Sequence, residues 1–562
     1  MNFSLPQHLI PHRLTAALLA GAIFASPAMA ALDDAKAILE VLLKKGVITQ
    51  KDYDTTLEEW SSKPLDSVPP VQFVQDALGV QAKEVQKAVE FTKKDEKNGS
   101  VKPSGFGWVS ADGQNSINLS GMVQFDGRNF DNGLTDSQDK DSASGADTFE
   151  VRRARIGING TLWKNVDFEV LTNLVGSSTN VVHRAYINYN HNSSAQIRVG
   201  RFKQPFSLEE QTSANAIDFM ERSYGNQMVA GQRNGAMVFG EPTKGFTYAF
   251  STYQDGFNEL SNTNQLGTLA IGRITSNLAE LQGSNNDTVI HLGAAIDKGS
   301  YEITPATATD TGKTADSFSR GTVLSFRTEN RGLTNAYRAQ VYGDTGLTNG
   351  YGVLANNNAN ISKNLQGLEV ALASGGLKFQ SEFFDNTYGV SGVSCAASSS
   401  TCSYPSFNLK AQAIYYEFMY NLTGESWANS YRSGAFTTVK PKANFSTGSN
   451  GGWGAWQVGL RYSEYRVTEP SYFAYSGTRD GVYTRSNIAT SSTSQSRGEN
   501  STTANTVTYG VNWILNPNSR ILFNYANTRF NTPTSYLSTA YPSQLGTTTR
   551  EQVLSVRSQV NF

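Results

Sequence analysis

Hydrophobic and polar residues alternate with a period of two through most of the chain, from about Ile117 to Phe562. INLSGMVQFDGRNF (117–130) opens the pattern. FEVRRARIGING (149–160) and VDFEVLTNL (166–174) follow, joined by a short turn near LWKN. VVHRAYINYN (181–190) and AQIRVGRF (195–202) are joined by HNSS, and VTYGVNWIL (507–515) and SRILFNYANT (519–528) by NPN. Period two is the spacing of β-strands, whose successive side chains point to opposite faces. One face of these strands is polar almost throughout, which does not suit a sandwich with a dry interior. Long polar inserts at 131–147, 203–234, 299–319, 389–406 and 466–502 alternate with the short turns. Short turns at one end and long loops at the other predict an all-β, up-and-down transmembrane barrel with water inside. The pattern counts 16 to 18 strands, depending on 320–345, and a barrel of that size is wide enough for an aqueous channel.

The chain stops inside a strand. In SVRSQVNF and the residue before it, Leu554, Val556, Val560 and Phe562 fall on one face and Ser555, Arg557, Gln559 and Asn561 on the other. Aromatic residues share the apolar faces elsewhere: Tyr509 and Trp513 with Val507, Val511 and Leu515, and Phe523 and Tyr525 with Ile521. Such residues make interfacial girdles, although β-propensity alone also favours them.

Residues 31–98 follow a helical period instead. ALDDAKAILEVLLKKG (31–46) spaces Ala35, Ile38, Leu39, Leu42 and Leu43 on one face, and Gly46 can end it. TQKD (49–52) resembles a capping box ahead of a second helix to about Trp60, and VQDALGVQAKEVQKAVEFTKKDEK (74–97) predicts a third. This is a small helical or coiled-coil periplasmic module, separated from the β part by a linker over 99–114, which leaves 115–562 for the barrel. Ahead of it Arg13, the apolar run LTAALLAGAIFAS (14–26) and Ala28-Met29-Ala30 form a signal peptide over 1–30, with cleavage expected after Ala30 and export from a bacterial cytoplasm. Cys395 and Cys402, in an exported chain, are candidates for one small loop disulfide.

Composition narrows the function. A formal net charge of −1 argues against nucleic acid as a partner. Only 38% of residues are hydrophobic and mean hydropathy is −0.39, low for a large soluble core but natural where every other strand residue faces water. Outside the N-terminus no run of 18 apolar residues could make a transmembrane helix. After the signal peptide the histidines are His183, His191 and His291, and neither HExxH nor GxSxG is present. TGKT (311–314) lacks the Walker glycine, since Thr307 stands in its place. No enzyme, cofactor or metal site is expected.

Several segments resemble one family. FEVRRARIGINGTLWKNVDFEV (149–170), IRVGRFKQPFSLEEQTSANAIDFMERS (197–223), WQVGLRYSEY (456–465) and TYGVNWILNPNSRILFNYANT (508–528) are similar to the phosphate-selective porin O/P family of bacterial outer-membrane porins. The resemblance spans roughly 115–562, and GRFKQPFSLE…FMERS is its most specific part. It implies a 16-stranded homotrimeric barrel in outer-membrane lipid, which makes 320–345 largely loop. It also implies that the third long loop, about 203–234, folds inward to narrow the pore, and it places Arg152 and Arg153 near the constriction. Outer-membrane barrels as a class end on a similar strand, which implies that Phe562 is an assembly signal for the barrel-insertion machinery.

The chemistry of such a pore is electrostatic. Cations in a narrow low-dielectric channel concentrate small anions such as phosphate, and Arg fits phosphate bidentately. Candidate pore residues are Arg152, Arg153, Arg155, Arg184, Arg198, Lys203, Arg222 and Arg233. Strict alternation puts Arg153 and Arg155 on one face with Asn159, but places Arg152 with Ala154, Ile156 and Ile158 on the lipid side. A charge in lipid is costly, so Arg152 must sit at a rim, a subunit contact or a bulge. Each cation has a plainer alternative: pairing with a wall carboxylate such as Asp167 or Glu169, or, for Arg222, pairing with Glu221 or anchoring the loop, while Lys203 could belong to a loop-entry motif in GRFKQPF. Strongly phosphate-selective members carry an added Lys in the constriction loop, whereas SLEEQTSANA here has Glu209 and Glu210 and no Lys. The expected function is passive passage of small hydrophilic solutes with anion preference. The alternative is a structural anchor acting through the helical module.

Overall fold

A computed structural model of the chain describes residues 106–131 apart from 111, then 147–175, 181–255, 267–283, 287–303, 322–332, 337–340, 359–391, 407–448, 451–469, 478–479, 482–483, 500–535 and 547–562. It also describes 39, 43 and 49–61. The expected signal peptide, the helix over 74–97, all of the helix over 31–46 but Leu39 and Leu43, and the pair Cys395 and Cys402 lie outside the described residues. The chain divides into two compact units, Met1–Ser104 and Gly105–Phe562. In the first, one helix runs over Gln50–Ser61, directly after Thr49.

In the second unit, sixteen antiparallel strands close into a barrel. They are β1 (Ser116–Asp131), β2 (Thr148–Leu162), β3 (Val166–Asn173), β4 (Val182–Asn192), β5 (Ala195–Lys203) and β6 (Gln232–Thr243). Then come β7 (Phe246–Asp255), β8 (Gly267–Asn277), β9 (Thr288–Ile303), β10 (Ala359–Ser374) and β11 (Leu377–Ser391). The last five are β12 (Phe407–Asn421), β13 (Ala455–Glu469), β14 (Asn500–Asn516), β15 (Ser519–Ser535) and β16 (Thr547–Asn561). Each pairs with its sequence neighbours, and β16 closes on β1 from Met122↔Asn561 to Asp131↔Gln552. Closure leaves no strand edge. A short strand, Gly107–Val109, extends the β1 hairpin at one rim. Thr322–Phe326 and Tyr337–Gln340 pair with each other as a separate hairpin between β9 and β10, so they add nothing to the barrel count.

The connections sort as the pattern predicts, with one exception. Short turns join β2 to β3, where Trp163 and Lys164 take positive φ (49° and 70°), and β10 to β11 through Gly375-Gly376. Residues 422–454, joining β12 to β13 at that same end, form a long insert that pattern reading did not separate from the strands. Its Trp427, Tyr431, Phe436 and Val439 are buried with Val289, Ala371 and Met419 from the inner wall.

The wall is uneven in height. β3 to β8 run 8 to 12 residues, whereas β10 to β16 run 15 to 17. On the tall strands the amphipathic sense reverses part-way up. Near the short turns the outward residues are apolar and exposed, as with Phe418, Leu460, Phe523 and Leu554. Nearer the long loops the outward residues are Lys410, Arg466 and Arg529, while inward Leu409, Val467, Ala504 and Phe530 are buried. Those inward residues join a core with Phe206, Tyr224, Leu324 and Phe326 from loops that enter the barrel. A single strand thus serves lipid on its outer face below and a packed interior on its inner face above.

Candidate functional site

The loop between β5 and β6, residues 204–231, crosses the lumen. Its backbone carbonyls accept from inward side chains of strands far from its own: Ala214 from Gln124 (3.4 Å), Ile217 from Arg520 (2.9 Å) and Asp218 from Asn512 (2.8 Å). At its start the helix Leu208–Gln211 is capped twice. Ser207 accepts from the Glu210 amide, and Glu382 on β11 accepts from the Leu208 and Glu209 amides at 2.9 and 2.8 Å. Tyr224 Oη bonds Thr506 on β14 at 2.8 Å and its ring stacks edge-on against Tyr465. A buried loop must satisfy its own peptide groups, and this one does so on side chains of β1, β11 and β13 to β16, and on Lys203 at the end of β5. β2 to β5 form the wall that leads into this loop.

That wall carries the arginines. The β1–β2 ladder pairs Gln124 with Arg153 and then Phe125 with Val151, so Arg152 is an extra residue in β2. The bulge turns Arg152 inward beside Arg153. Arg152 then grips Glu221 of the crossing loop with two bonds of 2.8 and 3.1 Å. The lipid-side placement that strict alternation gives Arg152 is therefore overturned by one inserted residue. Arg153 donates to Gln124 at 2.7 Å and Arg155 to Asn173 at 2.8 Å, neither a carboxylate. Arg184 pairs with Glu169 at 2.7 Å. Arg198 lies over the rings of Tyr186 (4.3 Å) and Phe239 (4.8 Å). Arg153, Arg155 and Arg198 have no carboxylate at ion-pair distance among the described residues.

The loop-borne cations behave differently. Lys203 donates to the carbonyls of Glu210, Gln211 and Thr212. Arg222 donates to those of Glu209 (3.0 Å) and Thr212 (2.7 Å), and lies 3.4 Å from Glu210. Both tie the short helix's C-terminal end, where cations are favoured. Arg233, second in β6, stands opposite Phe202 and bonds the Gln232 carbonyl at 3.0 Å. The eight candidates thus separate into a wall row and loop anchors.

The loop acids are compensated. Glu209 accepts from Ser223 and lies 3.2 Å from Arg461 on β13. Burial pushes Glu210 up, but Arg222, Lys203 and Asn226 outweigh it and hold it below its ordinary value. Burial also opposes Glu221, yet Arg152 and Arg557 hold it well below the usual carboxylate range. Glu209 and Glu210 therefore offer little free negative charge to a passing ion.

At the barrel seam, Arg557 on β16 pairs with Asp126 on β1 (2.6 Å), and Arg128 reaches Asp126 (2.5 Å), Glu150 (2.6 Å) and Glu221 (3.1 Å). Across the lumen, Arg273 pairs with Glu369 (2.7 Å), Lys363 with Asp297 (2.8 Å), and Arg461 with Glu329 (2.9 Å). Arg520 on β15 is the exception there, donating to the Ile217 carbonyl (2.9 Å) and to Gln559 (3.2 Å) rather than to a carboxylate. A cavity of about 70 Å³ remains beside the crossing loop, lined by Arg152, Arg153, Glu221, Arg222, Arg327 and Glu329 among others. Arg327 comes from the hairpin between β9 and β10, held by two bonds of 3.0 Å between its backbone and Gln227. Sequence reading missed Arg327, because a loop sequence carries no sign of folding back. It also passed over Arg128 and Arg557, although both stand at inward positions of alternating strands.

An aqueous lumen with an unmatched arginine row and an inward loop suits a channel for anions. The model of the phosphate-selective porin O and P family matches residues 117–562. The chain belongs to this family. It is an outer-membrane porin, and its alternating strands serve a channel rather than an enzyme. Porin O of Pseudomonas aeruginosa PAO1 is 24% identical over 452 residues, covering 75% of this chain and 84% of that protein. Among solved structures, the anion-selective porin from Comamonas acidovorans aligns with a TM-score of 0.41 at 11% identity, over 80% of this chain and 100% of that one. Outer-membrane expressed OmpT of Vibrio cholerae aligns with a TM-score of 0.41 at 8% identity, over 81% and 100%.

Proposed function

We propose that this porin passes small anions, inorganic phosphate among them, through an off-centre pore between the crossing loop and β2 to β5. The observation that carries the proposal is the row Arg153, Arg155 and Arg198, inward and without carboxylate partners, while across the lumen Arg273, Lys363 and Arg461 are paired and Arg520 is taken up by the crossing loop's Ile217 carbonyl. An unmatched row in a narrow channel raises local anion concentration. Arg152 and Arg222 hold the loop in place, so they shape the aperture rather than supply its free charge.

The test is the reversal potential of the purified protein in planar bilayers under a KCl gradient, with phosphate added as competitor. R153Q/R155Q is expected to lower chloride preference and weaken phosphate block, with conductance retained. An unchanged reversal potential in that variant would remove the row from the mechanism. The working form is a homotrimer, and the lower wall of β3 to β8 suits subunit contact because its strands are too short to stand far clear of a bilayer. Phe562 serves as the assembly signal, and residues 31–98 form a periplasmic module joined by the 99–114 linker.

A further inference from the structure

The arginine wall also holds a carboxylate without a counter-charge. Glu169 on β3 takes Arg184, but Asp167, two residues earlier, has no cation at ion-pair distance among the described residues. Neutral donors fix it instead. Thr161 Oγ1 donates to Oδ1 at 2.9 Å, and Asn190 and Asn188 donate to Oδ2 at 2.6 and 3.2 Å. A carboxylate offers about four acceptor positions, so one on Oδ1 stays open. A fixed negative charge at this place works against the bare anions that the arginines draw in.

Strand register places the opposite charge beside it. The ladders align Asp167 with Asn188 and Asn188 with Arg198. Asp167 and Arg198 thus stand in one row with a single strand between them, ~10 Å apart at the backbone for two strand spacings. Arg198 lies over the rings of Tyr186 and Phe239, and its Nε is buried without an acceptor. Between the two charges Asn188 is 2% exposed. Its Nδ2 donates to Asp167 and to Gln196 (2.9 Å), while its Oδ1 meets no donor. A buried acceptor left unpaired is unfavourable. The row therefore offers an open carboxylate position and an orphaned carbonyl oxygen at one end, and a guanidinium without a carboxylate at the other.

We propose that Asp167, Asn188 and Arg198 form a subsite for a small zwitterionic solute, its ammonium on the Asp167 and Asn188 oxygens and its anionic group on Arg198. An ammonium carries three N–H donors, enough for both open acceptors. A guanidinium stacked on rings keeps its N–H edge for an oxyanion. The subsite rests on the reading that solutes follow the wall of β2 to β5, and it narrows their class to amino-bearing anions.

The experiment compares three blockers of chloride current through the purified full chain in planar bilayers: aminoethyl phosphate and its two halves, ethyl phosphate and ethylammonium. Inorganic phosphate serves as the reference. At neutral pH ethyl phosphate has the larger net negative charge, so arginines alone favour it over the zwitterion. Aminoethyl phosphate is instead expected to block at about tenfold lower concentration than either half, the order of one charge-assisted contact. D167N should bring it level with ethyl phosphate or below, and D167E should keep part of the preference, since the charge remains at a changed reach. Equal block by aminoethyl and ethyl phosphate in the wild type would overturn the proposal, as would a preference that survives D167N. Block by ethylammonium as strong as that by the whole zwitterion would mark a cation site and overturn it equally. If inorganic phosphate and both esters all fail to block, the anion path is refuted and the subsite with it. Phosphate block with equal block by the two esters refutes the subsite alone. Should D167N misfold, seen as loss of the heat-modifiable band, the wild-type comparison of the three blockers decides by itself.

Discussion

At the residue scale, Arg152 and Arg153 differ by one position and take opposite roles. Arg152 is largely buried and donates two hydrogen bonds to Glu221, and Arg153 donates one to the neutral Gln124. Without Arg152, Glu221 keeps Arg128 (3.1 Å) and Arg557 (3.3 Å), so the loss is that of charge-assisted hydrogen bonds, about 1.5–3 kcal/mol, rather than of a whole buried pair. R152A is therefore expected to lower barrel stability by about 2 kcal/mol in a denaturant titration and to make single-channel current noisier as the crossing loop loosens. R153Q is expected to leave stability within about 1 kcal/mol of the wild type, since it loses one hydrogen bond, and to shift the reversal potential. Equal stability loss in both variants would contradict this division. Both arginines are visible in the sequence, but their division of labour is not. It depends on a bulge against Gln124 and Phe125, residues of another strand, and alternation within β2 cannot reveal which residue is the inserted one.

At the element scale, alternation was legible because each strand meets two media, and the sixteen strands fall where the period-two segments lie. The closing strand was legible for the same reason: Leu554, Val556 and Val560 are exposed on the outer face. Its seam was not. Phe562 exchanges two backbone bonds with Gly121 (2.8 and 3.1 Å), and a Cβ on Gly121 would stand 2.2 Å from the Phe562 ring. Only glycine leaves that hollow open, so G121L is expected to hinder closure and reduce the fraction of chain that migrates as a compact, heat-modifiable band. An unaltered band would show that the ring can seat elsewhere. The crossing loop offers a second test. Glu382 receives two helix amides and the Tyr415 hydroxyl at 2.7 Å, so E382A leaves buried donors unpaired at about 1–3 kcal/mol. Its expected signature is fluctuating conductance with the selectivity of R153Q absent. The inward path of this loop came from family resemblance, whereas the insert at 422–454 had no such guide, and its apolar Trp427 and Phe436 read as ordinary strand or loop residues.

At the scale of the whole molecule, the inner wall is divided. The crossing loop, the hairpin after β9 and the insert at 422–454 all pack against the inner face of the tall strands, where the two buried apolar clusters lie. Ion pairs on that side are closed off and Arg520 is covered by the loop carbonyl of Ile217, whereas Arg153, Arg155 and Arg198 stand on the other. Water and ions should then pass only along β2 to β5. A cysteine placed on that wall, as R155C in a C395S/C402S background, is expected to react with a charged thiol reagent and cut the current. Thr506 is an equally inward residue on β14, but it is buried beneath Tyr224 of the loop. T506C in the same background is expected to stay unreacted while the channel is open. Reaction at both positions would mean that ions pass on either side of the loop and that the pore is central. If the path is confined to the arginine wall, selectivity should also fall as salt rises from 0.1 to 1 M, because the screening length shrinks from ~10 to ~3 Å and charges on one side no longer reach across the opening.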